Sequence, residues 1–317
     1  MVKNEQLRKD FVQQATLFIR DHQFDGLDLD WEYPANRQGS RPQDKQLFTS
    51  LIEELKAAFE PYNLLLTAAV AAEKSTIETA YEIDKIAKYI DFINLMTYDF
   101  HAGESKNMTS HHTALYEHPQ EDQYQITLNQ NWSINYSIKQ GMSKEKISMG
   151  LATYGRTFKL LNNSDRGNRL LSSGPGEPEK YTKEYGFIAY YEICEKLNNG
   201  QWISKYDDIQ KSMYAYDEDT WISYDNIQTI SIRANYIIEQ NLGGVMIWAV
   251  DLDDFSGKFC NNGRYPLINA VANIIRRGQV QSIDISTLPT ITSRTYSTIS
   301  MTKYNILFHY NRIHYLL

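Results

Sequence analysis

The run Phe24-Asp-Gly-Leu-Asp-Leu-Asp-Trp-Glu-Tyr-Pro34 constrains this chain more than any other stretch, because Asp28, Asp30 and Glu32 recur at two-residue spacing inside an otherwise apolar segment. Side chains two apart on a strand share a face. An extended conformation therefore predicts one row of three carboxyls, each step about 6.6 Å along, with Leu27, Leu29 and Trp31 on the opposite, buried side. Crowded carboxylates resist ionising together, so one member of the row is expected to hold a proton near neutrality, as a general acid must. Two other readings stand beside that one. Acids at a strand end can simply cap the next helix or hold a surface cation, and carboxylates also suit a hard divalent metal serving phosphate chemistry. Against the metal reading, the chain has no Gly-rich phosphate loop, and its 23 tyrosines, 12 phenylalanines and 5 tryptophans point towards sugar rings.

Around this run the hydrophobic pattern alternates between helix and strand. Residues 3 to 22 read as an amphipathic helix with Leu7, Phe11, Ala15, Phe18 and Ile19 on one face. Phe48, Leu51, Ile52, Leu55 and Phe59 mark a second helix, ended by Pro61 and followed by the buried strand Leu64 to Val70. A helix around Ile83 to Tyr89 leads to the strand Asp91 to Asp99, and one around Leu128 to Lys139 leads to the strand Ile147 to Tyr154. A helix around Ile227 to Glu239 leads to the strand Gly243 to Asp251. Such alternation predicts a parallel sheet wrapped by helices, and polar groups at successive strand ends are the arrangement of a (β/α)8 barrel. The excursion from about Phe158 to Tyr224 is too long for a barrel loop and predicts a separate lobe.

The acidic run resembles the Asp-x-x-Asp-x-Asp-x-Glu signature of family-18 glycoside hydrolases, the chitinases and chitinase-like lectins, with Asp25, Asp28, Asp30 and Glu32 in its places. The likeness to animal chitinases runs to about Arg276. It implies an α/β fold in which the acidic strand is the fourth of a (β/α)8 TIM barrel. With five strands legible, the chain is expected to be an incomplete barrel lacking its first three strands, carrying a small α+β insertion domain. The implied division is a barrel part at 1–157 (strands four to seven), the insertion at 158–226, a last helix-strand-helix at 227–277, and an unmatched, disordered tail at 278–317.

The same resemblance implies endo-acting hydrolysis of β-1,4-linked N-acetylglucosamine polymers with retention, assisted by the substrate's own acetamide, one of the exceptions to the two-carboxylate scheme. Glu32 is then the acid, Asp30 orients the acetamide, Asp28 tunes Asp30 from behind, and Tyr98 hydrogen-bonds the acetamide. Tyr33, Met96, Asp99, Tyr154, Arg156, Glu184 and Trp248 are the implied substrate contacts, Trp248 as an aromatic floor. No cofactor or metal is implied, and the partners are chitin or chitooligosaccharides met by a monomer. The alternative is a chitin-binding lectin without catalysis; lectin members typically lose the terminal acid, and Glu32 is intact. Two departures bear on substrate binding: the family's His-Gly-x-Trp is here His101-Ala-Gly-Glu104, and a glycine after Ala71-Ala72 is here Glu73, adding bulk and charge at the rim.

Composition bounds the remaining classes. A 317-residue chain with 42% hydrophobic residues and net charge -7 can bury a core and has no electrostatic pull towards nucleic acid or anionic membranes. Met1-Val-Lys-Asn-Glu-Gln lacks the apolar core of a signal peptide. The family nonetheless implies an exported parent protein, and sequons at Asn107, Asn131, Asn135 and Asn162 agree with that. The two cysteines, Cys194 and Cys260, stand where animal chitinases pair theirs, which implies a disulfide.

Overall fold

The computed structural model describes residues 1–102, 108–162, 167–281 and 305–308. Its first helix, α1 (Glu5–Asp21), starts at Asn4, whose side chain accepts the Leu7 amide at 3.1 Å. The face it buries carries Arg8, Val12, Thr16 and Ile19, one residue round from the expected stripe, while Leu7 and Phe18 are about half exposed. Arg8 reaches Glu54 on α2 (Asp44–Phe59) at 2.7 Å and the Val2 carbonyl at 2.8 Å, while Phe11 and Ala15 of the expected stripe still pack against the core.

Between these helices lies β1 (Gly26–Leu29), followed after α2 by β2 (Leu65–Ala71), the short helices α3 (Lys74–Ala80) and α4 (Ile83–Ile86), and β3 (Phe92–Met96). Helix α5 (Gln130–Lys139) and β4 (Ile147–Ala152) complete this half. The chain then enters the lobe: β5 (Tyr154–Leu160), β6 (Ser172–Pro175), β7 (Phe187–Ala189), α6 (Tyr190–Asn198), β8 (Ile203–Asp207), β9 (Ser212–Tyr216) and β10 (Thr220–Tyr224). It returns through α7 (Ile227–Glu239), β11 (Gly244–Trp248) and α8 (Pro266–Gln281), with β12 (Asn305–Phe308) beyond.

The first sheet is parallel throughout, in the order β1-β2-β3-β4-β11-β12. Its inner strands are buried on both faces, as parallel strands under helices must be: every residue of β4 is buried, and all of β2 except Leu65. Gly26 is required at the start of β1, because a Cβ there would collide with the Leu65 carbonyl directly across the ladder. β1 stops at Leu29, so only Asp28 of the acidic row lies within a strand; Asp30 and Glu32 follow on the segment beyond. Leu29 is buried, but Leu27 and Trp31 are half-buried, because β1 is an edge with one strand partner among the described residues.

Four residues of the segment expected to be disordered, Asn305–Phe308, instead lie parallel beside β11, pairing Gly244 with Asn305 through Ile247 with Phe308. The edge of β11 presents unpaired backbone groups, and a short Ile-Leu-Phe run is well suited to take them up. The other residues of the tail beyond Gln281 lie outside the described residues.

The lobe is an antiparallel sheet in the order β6-β5-β10-β9-β8, with β7 on β5. It begins at Tyr154, four residues before the expected boundary, so a single residue separates β4 from a strand of the lobe. Phe158, Leu160, Tyr216 and Trp221 form its own core. Among the contacts that fix it to the parallel sheet are a buried ion pair and a disulfide. Arg233 of α7, fully buried, pairs with Asp225 at 3.0 Å and donates to the carbonyls of Lys211 and Thr113. Cys194 of α6 is disulfide-bonded to Cys260 in the segment after β11, with Cα atoms 4.9 Å apart.

Candidate active site

Parallel strands deliver their C-terminal ends to one side of a sheet, and the expected site residues follow that rule. Asp30, Glu32 and Tyr33 come after β1; Met96, Tyr98 and Asp99 come from the end of β3; and Trp248 closes β11. The lobe adds Tyr154 and Arg156 from β5 and Glu184 from the turn before β7. All ten line a single cavity of about 770 Å3. Asp28 does not. It sits beneath, its Oδ1 accepting from Thr67 Oγ1 at 2.5 Å and from Asn94 Nδ2 at 3.0 Å. Thr67 is its register partner on β2 and Asn94 is on β3, so two neighbouring strands hold the carboxyl by neutral donors.

Glu32 is about one-third exposed, and the Arg37 guanidinium lies 3.7 Å from its Oε2. Tyr98 is half-buried against Met246, its hydroxyl 3.6 Å from Sδ. Burial, with the charges of Asp99, Asp30 and Glu32, pushes the Tyr98 hydroxyl far above its ordinary value, so it remains a donor. Burial, then the Glu32 charge, does the same for Tyr33. Non-proline cis peptide bonds follow Glu32 and Trp248.

The opposite wall is ionic. Asp99, with φ of 60°, accepts from Tyr154 Oη at 2.8 Å and from Arg156 Nε and an Nη, each at 2.7 Å. Burial pushes its carboxyl up, but the hydrogen bonds and charges of Arg156 and His112 outweigh this and hold it well below the usual range. His112 Nδ1 lies 3.5 Å from Asp99 Oδ1, and its ring packs 5.0 Å from that of Tyr154. Burial holds the His112 imidazole below its ordinary value despite Asp99.

Sequence reading missed several of these contributors. Phe187 stacks on Tyr154 with centroids 4.6 Å apart and lines the cavity, and Met246 lies under Tyr98. His112 carries a faint signal in the His111-His112 doublet, but nothing in the spacing ties it to Asp99. Glu73, noted as a departure, is on the cavity wall together with Thr76 and Tyr124. The other departure, Glu104, lies outside the described residues. Among the described residues, no group of three His, Cys, Asp or Glu side chains converges closely enough to hold a metal ion.

This geometry has known counterparts. The chain is 41% identical over 279 residues to mouse (Mus musculus) chitotriosidase-1, covering 86% of the chain and 58% of the mouse protein. Among solved structures, the Ostrinia furnacalis group IV chitinase in complex with allosamidin superposes with a TM-score of 0.84 at 34% identity, over 88% of this chain and 75% of that one. Human YKL-39, described as a pseudo-chitinase with retained chitooligosaccharide binding, superposes at 0.82 and 37% identity, over 87% and 76%. These likenesses assign the parallel sheet and its helices to a TIM-barrel-like α/β fold. The profile of the glycosyl hydrolases family 18 matches residues 1–253, which include every residue that meets in the cavity, and the chain belongs to that family.

Proposed function

We propose that this chain carries the active site of a chitinase that hydrolyses β-1,4-linked N-acetylglucosamine polymers from within, with retention and with the substrate's acetamide as internal nucleophile. One observation carries the reading: Asp30, Glu32 and Tyr98 line one cavity, with Asp28 held directly beneath it. Glu32 gives its proton to the departing glycosidic oxygen. The acetamide oxygen attacks the anomeric carbon to form an oxazolinium ion, which water then opens with Glu32 acting as base. Asp30 orients the acetamide and stabilises its positive charge, Asp28 supports Asp30, and the Tyr98 hydroxyl donates to the acetamide oxygen. Tyr33 and Met96 line the sugar pocket, Asp99, Tyr154, Arg156 and Glu184 meet hydroxyls, and Trp248 stacks under the ring. The sheet is read as an incomplete (β/α)8 barrel with the acidic strand in fourth position, and the lobe, which begins at Tyr154, as the insertion that walls its groove. The Cys194–Cys260 bond supports an extracellular setting.

The test is Glu32→Gln. It removes the transferable proton and almost no volume, so turnover of a chromogenic chitotrioside should fall about 10³-fold with little change in affinity. Unchanged turnover rejects the assignment. A second reading, chitooligosaccharide binding without hydrolysis, is favoured by the place of the acidic residues at the end of, and just beyond, a strand with one partner among the described residues, where preorganisation is hardest to maintain. It predicts oligosaccharide binding by the unmodified chain with no hydrolysis to lose.

A further inference from the structure

Glu73 sits just past the end of β2, at the cavity wall, and both groups that bind its carboxylate are neutral. Tyr124 Oη, from the segment after β3, donates to Oε1, and Thr76 Oγ1 donates to Oε2 at 3.3 Å. Thr76 itself accepts from Asn36 Nδ2 at 2.9 Å, so a relay running back to the segment after Glu32 fixes the orientation of this carboxylate. No described cation compensates it: adjacent Lys74 is turned to Glu78 at 4.0 Å. Around it the cavity presents Asp30, Glu32, Asp99 and Glu184, against one guanidinium, Arg156, which is already bound to Asp99 at 2.7 Å. A neutral sugar can offer such a carboxylate only hydroxyl or amide hydrogen bonds, whereas a protonated amine also brings the missing counter-charge.

We propose that Glu73 is a specificity-determining residue that selects a 2-amino-2-deoxy sugar unit bearing a free ammonium group, so that the preferred substrate is a partially deacetylated polymer. The inference rests on the hydrolase reading above. In that mechanism the sugar gripped by Asp30 and Tyr98 must keep its acetyl group, because the acetamide oxygen is the nucleophile; that sugar becomes the new reducing end. That excludes the gripped sugar, and the selection by Glu73 is assigned to its neighbour on the leaving-group side, the sugar that becomes the new non-reducing end. There the ammonium gains a charge-assisted hydrogen bond in a groove partly screened from water, an advantage of about tenfold in kcat/KM over an acetylated unit.

The experiment digests partially acetylated glucosamine oligomers and fully acetylated oligomers in parallel and sequences the products by mass spectrometry. Free glucosamine should be enriched about tenfold at the new non-reducing ends and absent from the new reducing ends. The enrichment should shrink at 1 M salt, roughly the concentration at which the screening length falls to about 3 Å. Glu73→Gln should remove it and Glu73→Asp should retain part. No enrichment, or enrichment that survives Glu73→Gln, overturns the proposal while leaving the hydrolase reading intact if the acetylated oligomers are cleaved. If neither substrate is cleaved, the hydrolase reading fails, and calorimetry decides on Glu73: a glucosamine-containing hexamer should bind about tenfold more tightly than the acetylated one, a difference lost in Glu73→Gln. Equal affinities for the unmodified chain overturn it.

Discussion

The site holds two aspartates by opposite means, Asp28 beneath the cavity on the β1 side and Asp99 in its wall. Asp28 is held by Thr67 and Asn94, neutral donors that two adjacent strands place beneath it through ladder register. Asp99 is held by a guanidinium, a phenol and an imidazole brought from the lobe and from the segment after β3, no closer than His112 in sequence. The first arrangement depends on the sheet keeping its register and is indifferent to salt. The second depends on charge, and therefore on pH and on the lobe staying docked. A carboxyl fixed by the sheet keeps its place without a counter-charge, which suits a residue supporting the acid from behind; a sugar-binding wall tolerates the second kind.

Variants of each arrangement should fail in different ways. The largest effect is expected from Asp28→Asn, which keeps the shape and removes the charge behind Asp30. It should lower kcat about 10²-fold with KM nearly unchanged, and a rise in KM instead would place Asp28 in binding. Next is Arg156→Ala, which leaves Asp99 without its cation: KM should rise about tenfold, the acid limb of the pH profile should move upward as the Asp99 carboxyl returns towards its ordinary value, and kcat should change less than in Asp28→Asn. An unmoved acid limb would remove Asp99 from the pH response.

The smallest effect concerns His112. Its folded value lies below its ordinary one, so the folded protein binds fewer protons there than the unfolded chain. Its contribution is complete above about pH 6.5 and is lost as the pH falls below that value. Asp99, also depressed, keeps its full contribution above about pH 3.9 and loses it as the pH falls below that value, so the two windows separate. His112→Gln should flatten the fall in Tm between about pH 6.5 and 5, a difference of a few degrees. A slope identical to that of the unmodified chain would show that His112 stays neutral in both states or is paired equally in both.

The contrast between the two aspartates is also a contrast in what a linear reading can recover. The acids of β1 and the residues after β3 and β11 are legible because strand-end chemistry lies within a few residues of the apolar run that buries the strand. The extended row was legible only in part: β1 ends at Leu29, and the path that takes Asp30 and Glu32 into the cavity follows the turn beyond it. The face of α1 was legible in part: Phe11, Ala15 and Ile19 do face the core, but the buried arc also takes in Arg8, whose partner Glu54 lies 46 residues away.

Periodicity and residue spacing alone determined the alternation of helices and strands, the buried inner strands and the presence of three acids at one strand end, because those properties arise from neighbours one to four positions away. Tertiary structure alone decided that Asp99 meets Tyr154, Arg156 and His112, that Tyr124 reaches Glu73 across 51 residues, and that Asn305–Phe308 takes up the open edge of β11. Those partners are chosen by which buried charge needs a counter-charge and which backbone edge needs a strand, and neither need is written in the residues nearby.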